Sequence, residues 1–344
     1  MSRRKVRATA LGFAGALVVL AALVSLVGVS DLLAVLRRAD RGRVALVVGL
    51  AVCWLAAWGL ALRTVLGVLG VGVSRLTAFL VFAGAMFSNN VTPFGQAGGE
   101  PVTALLVSRV TDAEYETGLA AIASVDTLNF VPSIVLALFG AGYYATEVTL
   151  GTNRDVALAT VAVVVLAVGV PAAVYALWRR RYRLERRLVG RLTPLIRRVA
   201  GRLPRVPVPT AEGIERRITG FFRAIERVAA DPRAIAVALG FSALGWGFQT
   251  LGLWIAFRAI GVPIPLSVAF FAVPVAAIAG VTPLPGGAGG IESVLVALLV
   301  AAPLPAVTEP VALAAVVVFR GAVYWTPVLI GGPVAGVIGF RAPS

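Results

Sequence analysis

Apolar residues run along this chain in long blocks, and polar residues interrupt them at only a few places. Blocks at about 8–29, 44–66, 117–144, 156–178, 234–257 and 311–339 each reach the roughly 20 residues that cross a hydrocarbon layer of about 30 Å. They predict six membrane-spanning helices. Two further apolar regions, about 76–112 and 266–302, follow another pattern: each has two arms too short to cross, joined by a turn rich in Pro and Gly. Such a pair of arms predicts a re-entrant helical hairpin. The first turn reads VTPFGQAGGE (Val91 to Glu100); the second reads VTPLPGGAGGIE (Val281 to Glu292) and begins 190 residues later. The predicted fold is an all-α polytopic membrane protein, a single transmembrane domain over 1–344 with about six full spans and two re-entrant hairpins.

The largest polar interruption is the segment 179–233. It holds 16 Arg against 5 Asp or Glu, so 16 − 5 = +11 of the net charge of +15 sits there. Positive-inside bias makes it a cytoplasmic loop facing anionic lipid. Within it, Leu184, Leu188, Leu192, Leu195 and Val199, and then Ile214, Ile218, Phe221, Ile225 and Val228, repeat at helical spacing. They predict amphipathic helices lying on the membrane surface. The segment shows no RNA-binding aromatic motif and no helix-turn-helix pattern, so the charge points to lipid and not to nucleic acid.

With that loop inside, the N-terminal RRKVR also falls inside, as does the Arg63–Arg75 connection, while the 145–155 loop falls outside. The 30–43 segment, with four Arg against Asp31 and Asp40, falls outside against the rule. Ala8–Val29 is long for a signal peptide and is expected to remain as the first helix. The first hairpin then enters from the cytoplasm and the second from outside. Residues 44–178 and 234–340 become two oppositely oriented units, an inverted-topology repeat whose broken helices would meet near the bilayer midplane.

Composition narrows the chemistry. Mean hydropathy is +0.93, and charged residues make up 14% of the chain. The single cysteine, Cys53, permits no intrachain disulfide. Histidine is absent, which removes Ser-His hydrolysis and His metal sites. With no nucleotide-binding motif and no metal-ligand cluster in the sequence, neither a cofactor nor an enzymatic activity is expected.

The candidate chemistry gathers in the two turns. Glycine-rich turns let backbone N–H groups approach a ligand, and a half-helix N-terminus favours an anion such as a phosphate headgroup. Pro101 marks an expected half-helix start after Glu100, and Glu292 falls in the first turn of one beginning near Ile291. Candidate substrate-contacting residues are Asn89, Asn90, Thr92, Pro93, Gln96, Gly98, Gly99 and Glu100 in the first turn. In the second they are Thr282, Pro285, Gly286, Gly287, Gly289, Gly290 and Glu292. Both glutamates are equally compatible with capping their own helices. Arg320 lies mid-span and requires a partner, Asp126 or one of the glutamates. Asp126 and Asn129 share a helix face, as a packed polar pair or as cavity lining. Ser242, Gln249 and the run Gly245-Trp246-Gly247 suit helix packing.

Asn90, Pro93, Gly95, Gly99 and Glu100, then Pro283, Pro285, Gly286, Gly287, Gly289 and Glu292, then Arg320, together resemble one family over about 10–340. It is the flippase-like transmembrane domain of lysylphosphatidylglycerol synthases, also found as stand-alone prokaryotic proteins. This chain has Thr103 where the family often carries a basic residue, and Asp126 without an arginine where it often carries a Glu-Arg pair. The resemblance implies a protein of the cell membrane that moves or presents a charged lipid, without aminoacyl transfer. The expected function is translocation of an anionic headgroup, from a phospholipid or a polyprenyl phosphate, through a cavity formed by both hairpins. The alternatives are a membrane enzyme on a lipid-linked substrate, a solute transporter, or a non-catalytic partner of a lipid or glycan synthase. Homo-oligomerisation stays open.

Overall fold

The computed structural model describes residues 28–92, 96–111, 113–147, 178–200, 210–281, 284–302 and 304–340, with residue 21 and scattered helical positions between 161 and 176. The spans expected at about 8–29 and 156–178 lie outside the described residues apart from those scattered positions, as does the 148–155 stretch of the expected outer loop.

The first helices are α1 (Val29–Arg37), α2 (Arg41–Val68), α3 (Arg75–Val91), α4 (Gln96–Val110) and α5 (Tyr115–Glu147). There follow α6 (Arg181–Ala200), α7 (Ala211–Ala229), α8 (Pro232–Ala259), α9 (Leu266–Ile278), α10 (Gly290–Ala301) and α11 (Glu309–Phe340). Two short 3₁₀ turns, Ala279–Val281 and Pro285–Gly287, sit between α9 and α10. Among the described residues four helices are long and apolar enough to cross a membrane: α2, α5 over Tyr115–Gly140, α8, and α11 over Glu309–Val337. The protein is therefore an all-α, multi-pass membrane protein. Apolar side chains such as Phe130, Val135, Phe139 and Leu329 stand exposed on these spans, as lipid-facing positions must.

Local sequence fixes the helix ends. The Asp40 side chain accepts from the Arg43 N–H at 2.8 Å and caps α2; Asp231 accepts from the Ala234 N–H at 2.9 Å and caps α8, with Pro232 at its first position. Both helices are 28 residues long and end at a glycine of positive φ, Gly70 and Gly261. There the chain turns back and satisfies carbonyls of the last turn: the Val71 N–H donates to the Leu66 carbonyl, and the Val262 N–H to the Phe257 carbonyl. The caps are 191 residues apart, and so are the two glycines.

The four hairpin arms are short. At 1.5 Å per residue, the 17, 15, 13 and 12 residues of α3, α4, α9 and α10 extend about 26, 22, 20 and 18 Å. Each pair packs together across its turn. Helix α2 lies along α8, α3 along α11, and α9 along α5. These contacts are close enough to exclude side chains. A Cβ on Gly331 of α11 would run into the Ala83 carbonyl of α3, and one on Gly140 of α5 would lie 2.6 Å from the Phe271 nitrogen of α9.

The apolar stripe of α7 packs on the protein: Ile214 and Val228 are buried, Phe221 and Ile225 pack on the main core, and the helix docks on α5. On α6, Leu184, Leu188 and Leu192 are half-buried and Leu195 is exposed. This helix is tied to α7 by Arg181 Nε to Glu226 Oε1 at 2.7 Å and by Thr219 Oγ1 to Glu185 Oε1 at 2.7 Å.

Candidate functional site

The second Gly/Pro turn builds a buried charge pair. Gly286, Gly287 and Gly289 all take positive φ, at 60°, 66° and 86°, a region that disfavours side-chain-bearing residues. This lets the turn fold tightly beneath α10. A Cβ on Gly286 would meet Tyr324 at 2.7 Å and Asn90 at 2.8 Å. Glu292 stands in the first turn of α10 and accepts from the Gly289 N–H at 2.6 Å through Oε2. Its other oxygen, Oε1, accepts from Arg320 Nε at 2.8 Å. Arg320 also donates from its Nη2 to the Gly286 carbonyl at 3.1 Å. The side chains are 10% and 8% exposed for Arg320 and Glu292, so the pair is desolvated and relies on mutual compensation. Glu292 thus caps its helix and partners Arg320 at once.

The first turn reaches the same place. Asn90, near the end of α3, donates from Nδ2 to the Tyr324 carbonyl at 3.0 Å. Tyr324 returns a hydrogen bond from its hydroxyl to the Asn90 carbonyl at 2.8 Å. Tyr324 is one turn beyond Arg320 on α11, so the end of α3, the second hairpin turn and α11 meet in one cluster. Pro285, Gly287 and Gly289 are buried there and Gly290 is half-buried.

The helix after the first turn, α4, packs on α5. The half-helix expected to start at Pro101 starts five residues earlier, at Gln96, with Pro101 inside it. The cause is close contact between the arms. Gly99 is buried so tightly on α3 that a Cβ there would overlap the Asn89 side chain, and the glycines let α4 begin against Asn89. Thr92 turns its hydroxyl back to the Ser88 carbonyl at 2.7 Å. Gln96 and Gly98 belong to the first turn of α4; Pro93, Gly95, Thr282 and Pro283 lie outside the described residues. Glu100 is half-buried and acts electrostatically on Asp126, which is buried on α5. Asp126 Oδ2 and Asn89 Oδ1 have no hydrogen-bond partner among the described residues.

Asn129 does different work. Its side-chain oxygen accepts from Ser242 Oγ at 2.5 Å, and its carbonyl accepts from Trp246 Nε1 at 3.0 Å. Trp58 of α2 donates to the Ser242 carbonyl at 3.2 Å. Asn129 therefore ties α5 to α8, one turn from Asp126, and Trp58 ties α2 to the same stretch of α8. Sequence reading missed Tyr324, whose signal is its helical phase with Arg320. Beyond these groups, an open apolar depression of about 310 Å³ runs along α8, lined by Gly240, Ala243, Leu244, Gly247, Phe248 and Leu251. Among the described residues no group of three or more His, Cys, Asp or Glu side chains gathers to hold a metal.

Long apolar spans, short paired arms and a buried ion pair at two Gly/Pro turns define a polytopic membrane protein of flippase-like build. The family model for the lysylphosphatidylglycerol synthase TM region matches residues 9–331, and the chain belongs to that family. Relatives include two UPF0104 membrane proteins of Methanothermobacter thermautotrophicus. One is 28% identical over 335 residues, covering 96% of this chain and 93% of the relative. The other is 26% identical over 317 residues, covering 90% and 89%. A UPF0104 membrane protein of Pyrococcus horikoshii is 24% identical over 258 residues, 73% of each chain. The matched family is the membrane region of these synthases.

Proposed function

We propose that this protein translocates lipid, moving an anionic headgroup, from a phospholipid or a polyprenyl phosphate, past the joined hairpin turns while the acyl or prenyl tails stay in the bilayer. The observation that carries the reading is the meeting of the end of α3 with the second hairpin turn beside the buried Glu292–Arg320 pair. A buried guanidinium beside the N-terminus of a half-helix is suited to a phosphate, and an incoming phosphate would compete with Glu292 for Arg320. Thr92, the glycines of both turns and Asn90 would line the path.

The reciprocal packing supports an inverted-topology repeat. Exchanging the halves turns the α3–α11 contact into α9–α5, the α4–α5 contact into α10–α11, and leaves α2–α8 as itself. The lead helices obey the same exchange: α1 packs on α11 and α7 on α5. Each unit thus comprises a lead helix, a long span, a re-entrant hairpin and a second long span. In this reading the first hairpin enters from the cytoplasm, the second from outside, and the 179–233 segment and the N-terminus are cytoplasmic. Anionic lipid is then the partner of the basic segment.

Reconstitution tests this directly. Purified protein in vesicles should move a tail-labelled fluorescent phosphatidylglycerol between leaflets, read by quenching with an impermeant reductant. Arg320→Met should abolish the movement, and Arg320→Lys should restore only part of it, since an ammonium lacks the planar fork. Movement at the wild-type rate in Arg320→Met would remove the proposed site.

A further inference from the structure

Asp126 and Arg320 occupy equivalent places. Each is the twelfth residue of its helix, counted from Tyr115 in α5 and from Glu309 in α11. Each answers a glutamate on the second arm of the hairpin just before it. In the second half, Glu292 meets Arg320 at 2.8 Å and the charge closes internally. In the first half, Glu100 bears on Asp126, and both groups are acids. The same architecture therefore carries, among the described residues, a fixed ion pair on one side and two acids on the other.

Among the described residues none places a positive charge beside Asp126. Of the elements packed on α5, α9 has no titratable residue, and α8 carries charge only near its ends, at Arg233 and Arg258. Helix α2 offers Arg41 and Arg43 at its start, Cys53, and Arg63, whose Nε is committed to the Val73 carbonyl. On α7, Arg217 acts on Tyr115 at the beginning of α5, where Gly220 also lies against Glu116. On α4, Arg109 is nine residues past Glu100, about 13 Å along the axis. Two further observations mark an incomplete site: Asp126 Oδ2 and Asn89 Oδ1 are without hydrogen-bond partners among the described residues, and their residues are only 9% and 7% exposed. Asn89 lies against Gly99, the residue before Glu100. Buried oxygens left open cost free energy, and two like charges in one low-dielectric site cannot both persist without compensation.

We propose that Asp126, Glu100 and Asn89 form the site of a mobile monovalent cation, a proton or Na⁺, which supplies the positive charge that Arg320 supplies in the other half. This rests on the translocase reading and deepens it: the cation binds the first half while the headgroup engages the second, and its gradient drives lipid movement. No bond other than that of a transferable proton is made or broken.

The experiment uses the full chain in two settings. In vesicles containing tail-labelled fluorescent phosphatidylglycerol, an imposed pH gradient or an imposed Na⁺ gradient should shift the steady-state leaflet distribution of the probe. A response to the pH gradient alone assigns a proton; a response to the Na⁺ gradient alone assigns Na⁺. Asp126→Asn should abolish the response to either gradient. In detergent, without any lipid transport, a proton site should give a protonated-carboxyl band in infrared difference spectra between acidic and alkaline buffer, lost in both Asp126→Asn and Glu100→Gln. A Na⁺ site should instead give a Na⁺-dependent rise in the thermal midpoint, lost in the same variants. Probe movement that ignores both gradients, with neither detergent signal, would overturn the cation site and leave the translocase reading standing. Detergent signals without any probe movement would support the site and defeat the translocase reading. Asp126→Arg should rebuild the ion pair of the other half and abolish the detergent signal, even if it traps the protein.

Discussion

At the scale of single residues, the Glu292–Arg320 pair is a case where what is lost matters more than what is gained. Its two side chains are largely desolvated, and Glu292 also satisfies the Gly289 N–H. Removing one partner from such a pair typically costs about 3–5 kcal/mol, because the other charge stays buried and alone. Arg320→Met should therefore lower the thermal midpoint in detergent more than the double variant Glu292→Gln, Arg320→Met does. A double-mutant cycle should return a coupling of about 1–3 kcal/mol, and an additive cycle would mean that the two charges are solvated. The need for a partner to Arg320 was legible in sequence, because an arginine inside a span is costly. Which acid it takes was not, since Glu100, Asp126 and Glu292 all qualify by type. The choice is made by the three positive-φ glycines, which set the turn so that Gly286 O and Glu292 both face Arg320. Tyr324 escaped notice for a related reason: its bonds to Asn90 join residues 234 apart, and both accept at the main chain, where sequence leaves no mark.

At the scale of elements, the hydrophobic pattern placed the helices well and their ends less well. The expected spans at about 44–66, 117–144, 234–257 and 311–339 lie inside α2, α5, α8 and α11, because runs of that length have no other way to satisfy their backbone in lipid. The start of α4 was displaced because proline at a helix start is a local rule, whereas the press of Gly99 on Asn89 is a tertiary one. The docking of α7 was hidden for the same reason: an amphipathic stripe shows that a face is buried and does not say against what. The tightest crossings were also invisible. Gly140 and Gly331 look like any glycine in an apolar span, yet each lets a hairpin arm lie against a long helix. Leucine at either position should force its pair apart. Overpacking of this kind costs about 1–3 kcal/mol or more, so Gly331→Leu and Gly140→Leu should both lower the thermal midpoint by several degrees, whereas Gly142→Leu, with open space around its Cβ position, should change it little. Equal midpoints in all three would mean that the arms do not pack this closely.

At the scale of the whole molecule, the paired caps and contacts tie the two halves into one scheme, and its orientation in the bilayer is the consequence most open to measurement. Asp40 and Asp231, Gly70 and Gly261, keep the same 191-residue spacing, so the long spans α2 and α8 begin and end alike. If the units are inverted, the feet of the two hairpins must lie on opposite faces. Gly72 and Glu114 flank the first hairpin, and Pro263 and Ala306 flank the second; all four are exposed. Each takes a cysteine once the lone Cys53 is replaced by serine. With an impermeant maleimide on sealed inside-out and right-side-out vesicles, Gly72→Cys and Glu114→Cys should label from the cytoplasmic face, and Pro263→Cys and Ala306→Cys from the outer face. If the hairpins are re-entrant, arms of about 18–26 Å stop short of the far surface, and Thr92→Cys at the first turn should resist the reagent from outside. Labelling of all four feet from one face would sink the inversion, and with it the idea that an ion pair in one half and an acid pair in the other serve the same step from opposite sides of the membrane.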